Sequence, residues 1–106
     1  MITTAANNLG LQFSEEYTEY LREIGLCVID GHELTGISDE KRTNVVDVTK
    51  EQRKFNPLVP ENMYVIEETD MDYVVIWQDE KGKIYRTGYN EKPVGIAKSM
   101  VDYYRL

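Results

Sequence analysis

The stretch MYVIEETDMDYVVIWQDEKGKIYRT, residues 63–87, contains the strand pattern that decides the fold. Residues 63–68 and 72–78 are rich in β-branched and aromatic side chains, which favour strands. The second run is apolar on both faces from Tyr73 to Trp77, as is typical of an interior strand. The following DEKG suits a type I turn completed by a left-handed glycine, so residues 83–87 are predicted to form the return strand.

An amphipathic helix is predicted before this stretch, over about residues 15–24. Ser14 is a good N-cap, and Gly25 has the position of a helix-ending glycine. Apolar residues between them recur at the i, i+3, i+4, i+7 spacing of one helix face. These residues are Tyr17, Tyr20, Leu21 and Ile24.

Two further helices are predicted, one in the middle of the chain and one at its end. Thr49 and Gln52 have the spacing of a capping box, which predicts a short helix over about 50–55. Helical spacing also predicts a closing helix over about 96–104. Its apolar positions are Ile96, Met100, Tyr103 and Tyr104.

The remaining segments complete an α+β pattern. Residues 26–29 and 33–35 are predicted as short strands, and residues 1–8 as either a short helix or a frayed end. The chain has the length of one domain, residues 1–106. We therefore predict an antiparallel sheet of about five or six strands with helices packed on one face. The side chains predicted to be largely buried are Tyr17, Leu21, Ile24, Val65, Val75 and Met100.

Composition narrows the class of partner. The chain has 19 acidic and 12 basic residues and a net charge of -7, so nucleic acid and anionic membranes would repel it. A basic protein is the favoured partner, because opposite charge accelerates encounter. The sole cysteine, Cys27, indicates a reducing compartment, and the absence of a signal-peptide pattern predicts a cytoplasmic protein.

The residue types that carry out catalysis are sparse. His32, the sole histidine, follows a turn and is interpreted as a surface residue rather than a base, and Cys27 as a small apolar side chain. No zinc-ligand spacing, phosphate-binding loop or dinucleotide fingerprint is present. We predict no enzyme activity, no catalytic residues, no metal and no cofactor. A carboxylate pair in a small hydrolase remains an alternative.

The distribution of charge indicates a binding surface. Between Phe55 and Glu80 there is no Lys or Arg, whereas seven acids occur among strands and turns. Aromatic side chains ringed by acids form a plausible docking patch for a basic protein. The predicted partner-binding residues are Glu67, Glu68, Asp70, Asp72, Tyr73, Trp77, Asp79 and Glu80. The alternative interface is the acidic face of the first long helix, with Glu15, Glu16, Glu19 and Glu23.

The order and spacing of several segments resemble the SUKH superfamily over nearly the whole chain, from about residue 9 to 106. The central pieces are DGHELTG at 30–36, NVVDVT at 44–49 and PENMYVIE at 60–67, with QDEKGKIY at 78–85. At the two ends, the segments 9–25 and 96–104 resemble the opening and closing helices of that family.

The resemblance implies a function as well as a fold. Bacterial proteins of this superfamily are typically immunity proteins of polymorphic toxin systems, which bind and neutralise a toxin domain, often a nuclease. The implied protein is a cytoplasmic antitoxin, a monomer or a weak homodimer, without catalytic residues. The alternative is a regulatory interaction module of the same fold with a non-toxin partner.

Overall fold

The computed structural model of the protein describes residues 1–25, 27–71 and 73–105, which contain four helices and six strands. In chain order these are α1 (Ile2–Leu9), α2 (Glu15–Glu23), β1 (Val28–Ile29), β2 (His32–Glu33), α3 (Val45–Phe55), β3 (Met63–Glu68), β4 (Val75–Asp79), β5 (Ile84–Thr87), β6 (Val94–Ala97) and α4 (Met100–Tyr104).

The last four strands form one antiparallel sheet in the order β3-β4-β5-β6, so each strand pairs with its neighbour along the chain. Local turn chemistry supports this order. Gly82 has a φ of 99°, and Asp79 Oδ1 accepts from the backbone N–H groups of Lys81 and Lys83 at 2.9 and 3.0 Å. The interior strand β4 is buried along its whole length. Strands β1 and β2 form a separate two-stranded antiparallel sheet.

Side chains cover both faces of the four-stranded sheet. On one face, Tyr64 and Ile76 belong to the larger apolar cluster together with Tyr17 of α2 and residues of α1 and α4. Trp77 belongs to a second cluster that includes Val48 of α3. Successive residues of a strand point to opposite faces, which is why Ile76 and Trp77 lie in different clusters.

Polar contacts hold helices α2 and α4 on the sheet. Ser14 Oγ caps α2 and donates to Gln78 Oε1 of β4 at 3.0 Å. The Gln78 amide in turn donates to Glu16 Oε1 at 2.8 Å. The Glu16 carboxyl group also accepts from the N–H groups of Met100 and Val101 at 2.7 and 3.1 Å, and these are unpaired donors of the first turn of α4. One glutamate therefore connects two helices to the sheet.

Most sequence-based element predictions are confirmed. Strand β3 has the predicted bounds, and the return strand β5 follows the predicted turn. Strand β4 is an interior strand as predicted, but it runs over Val75–Asp79 rather than 72–78, so Tyr73 lies in the turn before it. Helix α2 agrees with the prediction over 15–24 to within one residue. Of the two alternatives for residues 1–8, the helix is observed as α1, and the left-handed Gly10 ends it.

The middle helix begins earlier than the capping-box pattern predicts. Asn44 is its N-cap, because the Asn44 side chain accepts from the N–H groups of Val46 and Asp47. Thr49 lies fully buried inside α3, and its hydroxyl accepts from the Val65 N–H of β3 at 3.0 Å. Thr49, the residue predicted to cap the helix, therefore links α3 to β3 instead.

The closing helix is shorter than predicted. Ile96 lies in strand β6, and α4 begins only after its N-cap Ser99. Ile96 and Met100 are therefore four residues apart, as in a helix, but they belong to different elements.

The antiparallel sheet with packed helices is confirmed, although its main sheet has four strands and β1 and β2 stand apart. Helix α3 contributes to the cluster of the second face, so the described helices are not confined to one face. Of the side chains predicted to be buried, Ile24 is 61% exposed, because α2 ends at Glu23 and Ile24 is its C-cap. The other five are buried: Tyr17, Leu21, Val65, Val75 and Met100.

Replacing Leu21 by alanine is expected to lower the free energy of unfolding by about 2–4 kcal/mol, because the change removes apolar burial and leaves a cavity. Urea denaturation followed by circular dichroism measures this loss. Ile24→Ala is the matched control and should change stability by less than about 0.5 kcal/mol. Equal denaturation midpoints for Leu21→Ala and the wild type would remove Leu21 from the core.

Candidate partner-binding site

The turn between β3 and β4, residues 69–74, is built around one threonine. Thr69 Oγ1 donates to the Val74 carbonyl at 2.8 Å, and the Thr69 N–H donates to the same carbonyl at 3.2 Å. The Val74 N–H donates to the Met71 carbonyl at 3.1 Å. These bonds connect the two ends of the turn, and the Met71 and Tyr73 side chains face solvent.

A cluster of exposed apolar side chains surrounds this turn. Phe55, Met71, Tyr73 and Tyr89 are all more than 60% exposed, although they come from α3, the turn and the loop after β5. The rings of Tyr73 and Tyr89 meet edge to face, with centroids 4.9 Å apart. The four side chains line a cavity of about 400 Å³, which we call the aromatic cavity. Contiguous exposed apolar surface of this kind marks interaction sites.

Tyr73 has a strained backbone. Its φ is 65°, in the left-handed region that bulky side chains rarely adopt. Such a conformation costs on the order of 1–3 kcal/mol and persists only where the surrounding structure enforces it. Strain of this kind concentrates at binding and catalytic sites, and the exposed Tyr73 ring lines the aromatic cavity.

Acidic side chains are exposed around the same turn. Glu68 and Asp70 both face solvent, and Glu68 lines the aromatic cavity. The Glu68 carboxyl group accepts from the side-chain amide of Gln52 on α3, which orients it beside the cavity wall. This part of the surface therefore combines aromatic area with negative charge.

A second concavity, the polar cleft, lies on the other side of the same turn. It encloses about 670 Å³ and shares Glu68, Thr69, Met71 and Val74 with the aromatic cavity. Its other walls include Glu33 and Arg42, whose side chains pair with each other. That hydrogen bond and the charge of Glu33 raise the pKa of Arg42.

A buried carboxyl group lies at the base of the polar cleft. Glu67 Oε2 lies 2.7 Å from His32 Nδ1, and Glu67 Oε1 accepts from the Tyr104 hydroxyl at 2.7 Å. Burial, followed by the hydrogen bond to Glu67, raises the pKa of Tyr104. A β-bulge produces this arrangement: the β3–β4 pairing passes from Val65 to Glu67, which makes Ile66 an extra residue and turns Glu67 toward α4.

The structure places only part of the predicted site at this surface. Glu68, Asp70 and Tyr73 are exposed around the turn, and Asp72 lies outside the described residues. Glu80 is exposed at the opposite end of β4, where its carboxyl group accepts from the Gln12 N–H at 2.6 Å. A five-residue strand is roughly 16 Å long. The acids before β4 and those after it therefore belong to different ends of the sheet.

Three residues predicted to contact a partner are buried, so the prediction that they lie on the surface is wrong. Trp77 is 0% exposed and its Nε1 donates to Thr87 Oγ1 at 2.9 Å, because β4 is covered on both faces. Glu67 is buried by its turn toward Tyr104. Asp79 is buried as the acceptor that closes the β4–β5 turn. None of the three side chains is exposed to solvent.

Sequence reasoning missed Phe55, Met71 and Tyr89 as members of the site. Each is an apolar residue at the end of an element or inside a polar loop, where burial is unexpected. That pattern could have marked them singly as exposed side chains. Their convergence on one cavity depends on contacts between distant segments.

The described residues contain neither a metal-binding cluster nor a membrane-spanning helix. No group of three or more His, Cys, Asp or Glu side chains in this part of the chain could hold a metal ion. No helix in the same ranges has the length and apolar character needed to cross a membrane.

The chain belongs to the SUKH family: the family model described as SMI1-KNR4 cell-wall matches residues 1–102. The family resemblance drawn from the sequence is thereby confirmed. The SUKH family is known for immunity-type proteins. A comparison with curated proteins gives no match.

Proposed function

We propose that this protein is an immunity protein that binds a cognate toxin domain in the cytoplasm and blocks it, and that the toxin is a basic nuclease. The observation that supports the proposal most directly is the surface around the β3–β4 turn, where exposed aromatic side chains are flanked by exposed acids. Membership of a family known for immunity-type proteins supports the same proposal.

The aromatic part of this surface has the composition of an interaction hot spot. Tyrosines contribute large contact areas at low entropic cost and are enriched among the residues that dominate binding energy. Tyr73 and Tyr89 already contact each other in the free protein, so little side-chain ordering is needed when a partner covers them. A tight one-to-one complex would bury roughly 800 Å² on each partner, which requires contacts beyond this cluster.

Charge supports the nuclease as the class of partner. An enzyme that binds the phosphate backbone needs a basic surface, and a net charge of -7 complements such a surface. Exposed acids near the aromatic cluster would speed encounter and set orientation. The association rate should fall as salt rises, because screening shortens electrostatic reach to about 8 Å at physiological ionic strength.

The decisive experiment is a titration against the product of the gene directly upstream, which this proposal expects to be the toxin, read by calorimetry and by protection of the toxin's substrate. The double variant Glu68→Lys, Asp70→Lys should weaken binding by at least about tenfold, because it places two cations against a basic partner. Circular dichroism should show an unchanged fold, since exposed acids contribute little to stability.

The matched control is the double variant Glu19→Lys, Glu23→Lys, which makes the same charge change on exposed positions of α2. It should alter affinity much less than the turn variant. If the control weakens binding and the turn variant does not, the interface lies on α2. If the wild type binds the toxin domain without protecting its substrate, a regulatory interaction module is the better description. No binding at all would refute the proposed function.

A further inference from the structure

We infer that the aromatic cavity is a socket for an arginine side chain of the partner protein. This inference deepens the proposed function and rests on it for the identity of the partner. The geometry of the cavity supports it through three properties: aromatic walls, a charge of one sign, and a shape that the free protein already holds.

The walls of the cavity suit a flat cation. Phe55, Tyr73 and Tyr89 present aromatic rings to a space of about 400 Å³, within the range of small-ligand sites. The Tyr73 and Tyr89 rings are inclined by 67°, so a planar group that stacks on one ring meets the edge or face of the other. Aromatic faces attract cations through their quadrupole, and guanidinium groups stack on them.

The charge of the cavity lining has one sign among the described residues. Glu68 is the one charged side chain of the described lining, and the rest of the polar lining consists of neutral side chains such as Asn56 and Asn90. Glu91 supplies a second carboxyl group close by, because a methyl group added at Gly88 of the lining would overlap the Glu91 carboxyl oxygen. Anions and phosphate groups are therefore disfavoured as occupants, and a cation is favoured.

Arginine fits this combination better than lysine. A guanidinium group is planar, weakly hydrated and able to pair with a carboxylate through two parallel hydrogen bonds while it stacks on a ring. A lysine ammonium is a strongly hydrated point charge that would lose more solvation on entering an apolar space. The Tyr73 and Tyr89 rings already contact each other before binding, which lowers the entropic cost of accepting the side chain.

The first test uses the free protein and two capped tripeptides as probes, acetyl-Gly-Arg-Gly-amide and its neutral counterpart in which citrulline replaces arginine. Amide chemical shifts of Gly88, Tyr89 and Asn90 are followed by NMR during each titration. The arginine peptide should produce saturable shifts at these amides and bind at least about tenfold tighter than the citrulline peptide. Equal affinity for the two peptides, or no shifts at these amides, would overturn the inference.

Variants of the cavity sharpen this test. Tyr89→Ala and Glu68→Gln each alter an exposed residue. Each should weaken binding of the arginine peptide by about fivefold or more. Glu80→Gln makes the same charge change at the other end of β4 and should have no effect. Equal losses for Glu68→Gln and Glu80→Gln would show that the peptide responds only to net charge, which would also overturn the inference.

The second test separates this inference from the proposed function. In a titration with the toxin domain, Tyr89→Ala should raise the dissociation constant by about thirtyfold, the effect of a central hot-spot residue. Tight binding of the toxin by both Tyr89→Ala and the wild type would overturn the arginine socket and leave the proposed function standing. If the wild type does not bind the toxin, the proposed function fails, and the peptide titration alone decides whether the cavity binds arginine.

Discussion

Replacement of Glu67 by lysine is expected to lower the free energy of unfolding by about 4 kcal/mol or more, which is a large part of the roughly 5–10 kcal/mol expected for a domain of this size. Glu67 is buried and accepts from the Tyr104 hydroxyl at 2.7 Å, with His32 Nδ1 at the same distance from its other oxygen. A lysine has three donors and no acceptor, so both partners would lose their acceptor beside a buried, unpaired cation.

Thermal and urea denaturation of three variants measures this effect. Glu68→Lys is the matched control: it makes the same charge change one residue along β3 at an exposed position and should cost less than about 1 kcal/mol. Glu67→Gln keeps a carbonyl acceptor for Tyr104, so its stability should lie between those of the two lysine variants. Its free energy of unfolding should fall by about 1–2 kcal/mol. If Glu67→Lys is as stable as Glu68→Lys, Glu67 does not have the buried structural role described here.

A second large effect is expected at Trp77. Replacement by alanine should cost about 3–5 kcal/mol, because it empties the centre of the second apolar cluster and leaves the Thr87 hydroxyl without its donor. Since Trp77 is the sole tryptophan of the chain, unfolding of this variant has to be followed by circular dichroism rather than by tryptophan fluorescence.

Tyr73→Ala provides the comparison for Trp77. The two aromatic residues lie four positions apart, but Tyr73 is 67% exposed, so its replacement should cost less than about 1 kcal/mol. The two variants should have the opposite order of effect on binding. Folded Trp77→Ala should keep its affinity for the toxin domain, and Tyr73→Ala should lose affinity. A Trp77→Ala variant with unchanged stability and weakened binding would restore Trp77 as an interface residue.

These variants matter because the acids of the stretch 55–80 have two roles, one structural and one at the surface, and the sequence does not show which acid has which role. Some of its acids are buried and accept structural hydrogen bonds: Glu67 accepts from Tyr104, and Asp79 accepts from the backbone of the β4–β5 turn. Others, such as Glu68 and Asp70, face solvent around the β3–β4 turn. A scan that reverses every acid of the stretch would therefore combine unfolding with loss of binding, and only single variants can distinguish the two.

Local chemistry was enough to predict most of the elements. The strand pattern of 63–87 and the DEKG turn predict consecutive strands, because neighbouring strands joined by a tight turn pair with each other. The caps at Ser14 and Gly25 predict α2 for the same reason, since a cap and its helix lie within one turn. The predictions that failed at Thr49 and Ile96 concern segments where tertiary contacts override a short local pattern.

The amino-acid sequence by itself determined the three strands of 63–87 and the DEKG turn, the first long helix, the acidic net charge and the family, because each depends on composition or on neighbouring residues. Only the tertiary structure decided which side chains reach the surface. A bulge turned Glu67 inward, coverage of both faces buried Trp77, and three distant segments brought Phe55 and Tyr89 to Tyr73. Pairing register and packing between distant segments decide such outcomes, and neither is written in any one stretch of the chain.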